Sequence, residues 1–341
     1  KSQVFGLDEE TVAMAADNIR WLSVFNIAFA ANFILGAALR AAGDAWTPLW
    51  VGMGVNVINV PLLYVFIFGE WGFPRMGVGG AAVAAGLSFL VGGLVLVGLW
   101  YRQVLVVKYI AAAWLTRRRL RELVRIGYPA GAEMVVFQVG FFAFFMLIGN
   151  YYGTEAFAAY SVGANLLMMC MVVGFGFSIA GATLVGQHLG ADDFDAALAS
   201  GWRSMRYAML AMTGIGAVVA AFAEPLARFF LGDEPLTVHY TVQMTWLLAA
   251  MMPLLAVEFA VGGSLRGAGD TRAPLIATFV GLIGVRCTLA ALFTFLGLPV
   301  VWVYATLIGE YLVKSAMLSM RFRSGRWKTL VRFEPGLAAA R

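Results

Sequence analysis

Glu133, Glu258, Arg286, Glu310 and Lys314 are ionisable side chains set deep inside long apolar stretches. A charge at that depth is costly and marks an ion path, a relay or a compensating pair. Depth along a helix suggests who meets whom. Arg286 and Glu310 both fall near the middle of their stretches and can neutralise each other. Lys314 sits one turn from Glu310 in a favourable i, i+4 relation. These three form a candidate ion network. Glu133 lies roughly 10 Å into its stretch and Glu258 roughly 12 Å from the end of its own, at 1.5 Å per residue. The two carboxyls share a shallower level with no evident cation. There they would raise each other's pKa or hold a cation between them, so they are the candidate cation-coupling pair.

These residues need a scaffold of membrane helices. The chain has 341 residues, is 61% hydrophobic and only 13% charged; about a quarter charged is usual for a soluble protein. Apolar runs recur at about 21–39, 49–69, 78–100, 128–150, 157–186, 207–231, 243–264, 274–296 and 299–320. Each can cross a hydrocarbon core of about 30 Å, and such spans must be helical. The fifth exceeds a single crossing, so it extends past the membrane or breaks at Gly174, Gly176 or Gly181. The expectation is an all-α polytopic membrane protein with nine spans. Basic residues crowd the linker 101–127 and the tail 321–341, and the loops at Arg40, Arg203 and Arg266 fall on the same side. That side, with the C-terminus, is expected to be cytoplasmic.

A repeat organises the spans. LRAAGDAWTPL at 39–49 returns as LRGAGDTRAPL at 265–275, with seven of eleven positions identical. Arg40, Gly43, Asp44 and Pro48 match Arg266, Gly269, Asp270 and Pro274 at an offset of 226. Glycine can end one helix, and aspartate and proline can start the next; the arginine can pair with the aspartate. Six spans separate the copies, so the two halves run parallel through the membrane. The offset places the counterparts of 128–231 before Lys1. The sequence is thus expected to hold helices 4–6 of a first lobe (1–100), a basic linker (101–127), a complete six-helix lobe (128–320) and a tail (321–341), out of twelve spans in two parallel six-helix lobes. The offset also pairs neutral Asn32 with acidic Glu258.

Asn32, Asn59, Gln138, Tyr160 and Asn165 are polar groups at membrane depth and candidate cavity-lining residues; interhelical hydrogen bonding is the plainer role of such groups. The aromatic run Phe137–Phe145 and nearby methionines would suit an adaptable apolar wall. No phosphate-binding glycine loop and no HExxH is present, and Cys170 and Cys287 have neither disulfide nor metal spacing. The net charge of +5 follows the span-flanking loops, not a nucleic-acid surface.

The chain resembles the multidrug and toxic compound extrusion (MATE) family. The two loop copies, IGYPAGAEMVVFQ at 126–138, TLVGQHLGA at 183–191 and RFRSGRWK at 321–328 carry the resemblance, in order and in spacing. It implies a non-enzymatic, monomeric, multi-pass plasma-membrane transporter. Such a protein would export small organic, often cationic, compounds by alternating access in exchange for H⁺ or Na⁺, with no cofactor. It also implies that three helices precede Lys1. The family's acidic positions in its seventh and tenth helices correspond here to Phe137 and Leu255, with Glu133 and Glu258 each about one turn away. A flippase for a lipid-linked sugar is the alternative within transport, with Arg286 the deep cation it would need. A non-transporting membrane assembly protein is the alternative outside it.

Overall fold

The computed structural model describes residues 9–108, 116–231 and 234–330, which are helical apart from short connections. They fall into two compact units, Lys1–Trp114 and Leu115–Arg341.

The first unit holds α1 (Glu9–Val24), α2 (Asn26–Ala41), α3 (Trp46–Phe68) and α4 (Gly77–Tyr101). Its middle is α4, against which the other three pack. Glycines on α4 make that approach possible. The Phe25 ring fills the space beside Gly86, the Phe66 carbonyl that beside Gly80, and Val55 and Asn32 that beside Gly92. Phe25 is also where α1 and α2 bend by 52°, and the pair together is long and apolar enough for one broken span. Helix therefore begins well ahead of the span expected at residue 21. The early polar residues are accommodated on it: Arg20 pairs with Asp17 at 3.0 Å, and Asn18 donates to the Val78 carbonyl at 3.0 Å.

The second unit contains α5 (Arg117–Tyr151), α6 (Gly153–Gly190), α7 (Phe194–Ala221), α8 (Ala223–Leu231), α9 (Pro235–Gly267), α10 (Arg272–Thr278), a π-helical segment (Phe279–Cys287), α11 (Thr288–Phe295) and α12 (Val300–Arg323). The run Arg272–Phe295 is one span. Among the described residues eight helices are long and apolar enough to cross a membrane, and counting the bent pair as one span gives the nine that the sequence implies.

At the centre lies α9, buried by α6, α7 and α12. Its glycines set the spacing. Gly263 rests on the backbone of Ser178, and Gly267 on that of Ala182. Facing them, Gly174 receives the Phe259 ring and Gly181 sits under Ser264. Of the two alternatives for the fifth span, extension or a break, the break is absent. α6 is continuous over 38 residues, and Gly174 and Gly181 are points of close approach; Gly176 faces open space. The sixth span also starts earlier than expected, at Phe194, because Asp193 caps it by accepting from the Ala196 amide at 2.9 Å.

The two repeat loops have the same backbone. Gly43 (φ 95°) and Gly269 (φ 79°) take the left-handed conformation. The Gly43 and Gly269 amides donate to Arg40 and Arg266, and the next amides, of Asp44 and Asp270, reach back to Leu39 and Leu265. This pair of bonds closes the Schellman motif. Asp44 then accepts from the Thr47 amide at 2.9 Å, and Asp270 from the Ala273 amide at 3.3 Å, starting the next helix. The Thr47 hydroxyl and amide together hold the Asp44 carboxyl below the usual carboxylate range.

Candidate functional site: buried carboxylates in the C-terminal unit

Four charged side chains form a chain across α9, the π segment and α12. Arg286, on the π segment, donates Nη1 to Glu310 Oε2 at 3.2 Å and Nη2 to the Tyr160 hydroxyl at 2.8 Å. Its guanidinium carbon lies 3.8 Å from the centre of the Phe144 ring, a cation–π contact. Glu310 Oε1 is 2.7 Å from Lys314 Nζ. Lys314 Nζ also donates to Glu258 Oε1 at 3.1 Å. Two acids and two bases thus cancel. That balance is what a dry interior requires, because an unpaired charge there would carry its full desolvation penalty.

Local sequence places each member. Glu310 and Lys314 are one turn apart on α12 and share a face. Gly281 has no side chain to block the Lys314 stem, which lies against the π segment. That segment, Phe279–Cys287, is wound as a π-helix, and just beyond it the Thr288 hydroxyl donates back to the Ile283 carbonyl at 3.1 Å. Wider turns of this kind inside a helix recur at functional sites. The chain has a closed end and an open one. Glu310 is 0% exposed and Arg286 3%, whereas the Glu258 side chain is 17% exposed.

The second buried carboxylate lies apart from this chain. Glu133 on α5 accepts at Oε1 from Arg266 Nη2 at 2.7 Å and from the Thr278 hydroxyl at 3.4 Å. Its Oε2 is buried without a hydrogen-bond partner among the described residues. Arg266 turns back along α9 over Gly262, where the missing side chain leaves room. Asp270 accepts at Oδ2 from Arg321 Nε at 2.7 Å.

The expected network of Arg286, Glu310 and Lys314 is therefore present, with Tyr160 added to it. Two expectations are corrected. Glu133 and Glu258 do not lack cations: Arg266 serves one and Lys314 the other. Residue depth fixes where a backbone sits, but these long side chains reach a turn or more beyond it. Nor, in the second copy of the loop, does Arg266 pair with Asp270. Asp270 takes Arg321 from α12, which leaves Arg266 for Glu133.

The other candidates are scattered. Gln138 and Asn165 are exposed on α5 and α6, and Asn165 donates to the Ser161 carbonyl of its own helix at 2.9 Å. Asn32 donates to Phe89 O at 2.6 Å and Ala28 O at 2.9 Å, tying α2 to α4. Asn59 is half-buried in the first unit. Phe137, Phe141 and Phe145 stack along α5 at 6.1 and 6.3 Å. The sequence does not point to Arg266 as the partner of Glu133 or to Arg321 as the partner of Asp270, because both pairings cross between helices. Among the described residues no group of three or more His, Cys, Asp or Glu side chains could hold a metal ion.

Comparison with known proteins adds to this geometry. A sequence profile named MatE matches residues 129–292, which include Glu133, Glu258 and Arg286. A Thermotoga maritima protein called probable multidrug resistance protein NorM is 30% identical over 330 residues, covering 94% of this chain and 69% of the relative. The uncharacterized transporter YisQ of Bacillus subtilis is 24% identical over 299 residues, covering 85% of this chain and 64% of YisQ. The chain thus spans about two thirds of the length of these relatives. A solved structure described as the outward-facing conformation of a multidrug resistance MATE family transporter shares the fold. Its TM-score is 0.87 at 18% identity, over 95% of this chain and 73% of the other.

Proposed function

The chain belongs to the MatE family, a family of membrane transporters and not of enzymes, and on that premise we propose that it acts in the export of small organic, often cationic, compounds in exchange for H⁺ or Na⁺. It works by alternating access in the plasma membrane, with its C-terminus in the cytoplasm. Glu133 and Glu258 are the coupling carboxylates.

One observation carries the assignment: each carboxylate lies at membrane depth beside a cation, Glu133 beside Arg266 and Glu258 beside Lys314. Glu133 Oε2 has no hydrogen-bond partner among the described residues, and Glu258 is the exposed end of an otherwise sealed charge chain. Protonating Glu258 releases Lys314 to Glu310 alone, and protonating Glu133 releases Arg266. Either event changes the electrostatics between helices, which is how an ion favours one conformation over another. The neighbouring fixed cations favour H⁺ over Na⁺, because a metal ion would have to compete with Lys314 and Arg266 for the same oxygens. Arg286 is engaged by Glu310 and Tyr160 and is not free to receive a pyrophosphate, so no observation favours the lipid-linked sugar reading.

The test is efflux of a cationic dye from cells expressing the protein, with Glu133→Gln and Glu258→Gln compared at equal surface expression. Each substitution abolishes pH-dependent efflux. Full efflux in both single variants would overturn the proposal.

A further inference from the structure

A second feature of the C-terminal unit lies away from the buried carboxylates. Beside the loop 265–275 a cavity of about 510 Å³ is lined by Arg125 of α5, Asp270 and Thr271 of the loop, Arg272 of α10, and Met317 and Arg321 of α12. Three guanidiniums meet one carboxylate there. Asp270 is already satisfied by Arg321 and by its capping bond. Among the described residues Arg125 donates to the Leu330 carbonyl alone, at 3.3 Å. Arg272 is exposed and has no hydrogen bond or ion pair among the described residues. The cavity therefore holds two positive charges in excess, carried on groups whose planar forks match phosphate oxygens.

An apolar cleft of about 430 Å³ adjoins it and shares Arg125 and Arg272. Its other walls are Val124, Tyr128, Pro129, Leu275 and Ile276. Val124, Tyr128 and Ile276 are exposed on the flank of helices that cross the membrane. A soluble anion would use the basic cavity and gain nothing from the cleft. A molecule with a phosphate at one end and a hydrocarbon chain at the other uses both.

We propose that this cavity and cleft form a binding site for one anionic phospholipid. The phosphate sits between Arg125 and Arg272 at the membrane surface, and an acyl chain lies along Tyr128, Leu275 and Ile276. Basic pockets between membrane helices at the interface are suited to such headgroups. Arg321 is held by Asp270 and positions the far wall.

The test is native mass spectrometry of the purified full chain in detergent, titrated with phosphatidylglycerol or phosphatidylcholine. The wild type prefers phosphatidylglycerol. The preference falls by about tenfold or more in Arg125→Gln/Arg272→Gln, as expected for two interfacial charges. It is unchanged in Arg203→Gln/Arg206→Gln, which removes two exposed charges on α7. Equal preference in the cavity variant and the wild type would overturn the site. An equal loss in the α7 variant would reassign the effect to diffuse surface charge. On the wild type alone, glycerol 3-phosphate competes only weakly. Competition as strong as that of the lipid would make this a small-anion site and end the lipid assignment. The readout is lipid binding, so it stands independently of the export reaction.

Discussion

Arg266 Nη2 stands 2.7 Å from Glu133 Oε1, and the contact joins the end of α9 to the inner part of α5. The arginine of the repeated loop thus reaches away from its own loop to serve a buried carboxylate. Arg266→Gln leaves Glu133 with only the distant Thr278 hydroxyl. We expect a loss of about 1–3 kcal/mol, the penalty of an unsatisfied buried group. Glu133→Gln keeps a carbonyl oxygen for Arg266 and should cost less. Thermal unfolding of both variants in detergent checks the order; an Arg266→Gln midpoint equal to wild type would refute it.

Lys314 holds two carboxylates at once. Lys314→Met strands Glu258 and leaves Glu310 with Arg286 alone. Breaking a buried pair in this way costs roughly 3–5 kcal/mol. Adding Glu258→Gln removes the stranded charge and leaves Arg286 and Glu310 balanced. The double variant should therefore unfold at a higher temperature than Lys314→Met. Additive destabilisation would show that the two side chains do not interact.

Gly263 touches the Ser178 backbone, whereas Gly176 on α6 faces open space. Gly263→Ala must push α6 and α9 apart, and little monodisperse protein is expected on size-exclusion chromatography. Gly176→Ala should be neutral or gain up to about 1 kcal/mol from helix propensity. Similar yields of the two variants would contradict the packing described.

The loop glycines occupy matched left-handed positions that only a residue without a Cβ takes freely. Gly43→Ala and Gly269→Ala each place a side chain in the left-handed region, at roughly 1–2 kcal/mol. The aspartates should differ. Asp44→Ala removes a cap, about 1 kcal/mol, while Asp270→Ala also frees Arg321 and should lower the melting temperature further. The Asp44 carboxyl is held below its usual range. Its contribution is full above the unfolded carboxylate value of about 4 and is lost as pH falls through the lower folded value. Melting curves of wild type and Asp44→Ala should therefore converge only in acid.

The spans and the repeated loop were legible because they depend on runs and on local spacing. LRAAGD and LRGAGD dictate the same turn wherever they occur. The i, i+4 relation of Glu310 and Lys314 was legible for the same reason. Partners across helices were not. Glu133 and Glu258 lie at similar depth, yet rotation about the helix axes and the reach of Arg266 and Lys314 give them separate cations. The π segment has no marker in composition. The start of α1 was hidden because Asp17, Asn18 and Arg20 read as a polar lead, while their side chains find partners along the helix and on α4.

The charge chain also bears on how the protein is made. Glu310 and Lys314 travel on the same helix and enter the bilayer already paired. Arg286 emerges from the ribosome one helix earlier, and a lone arginine near the centre of a span costs roughly 2.5–3.5 kcal/mol at the translocon. Its anion arrives only with α12. The segments Arg272–Phe295 and Val300–Arg323 should therefore partition into lipid together as a hairpin, the second rescuing the first.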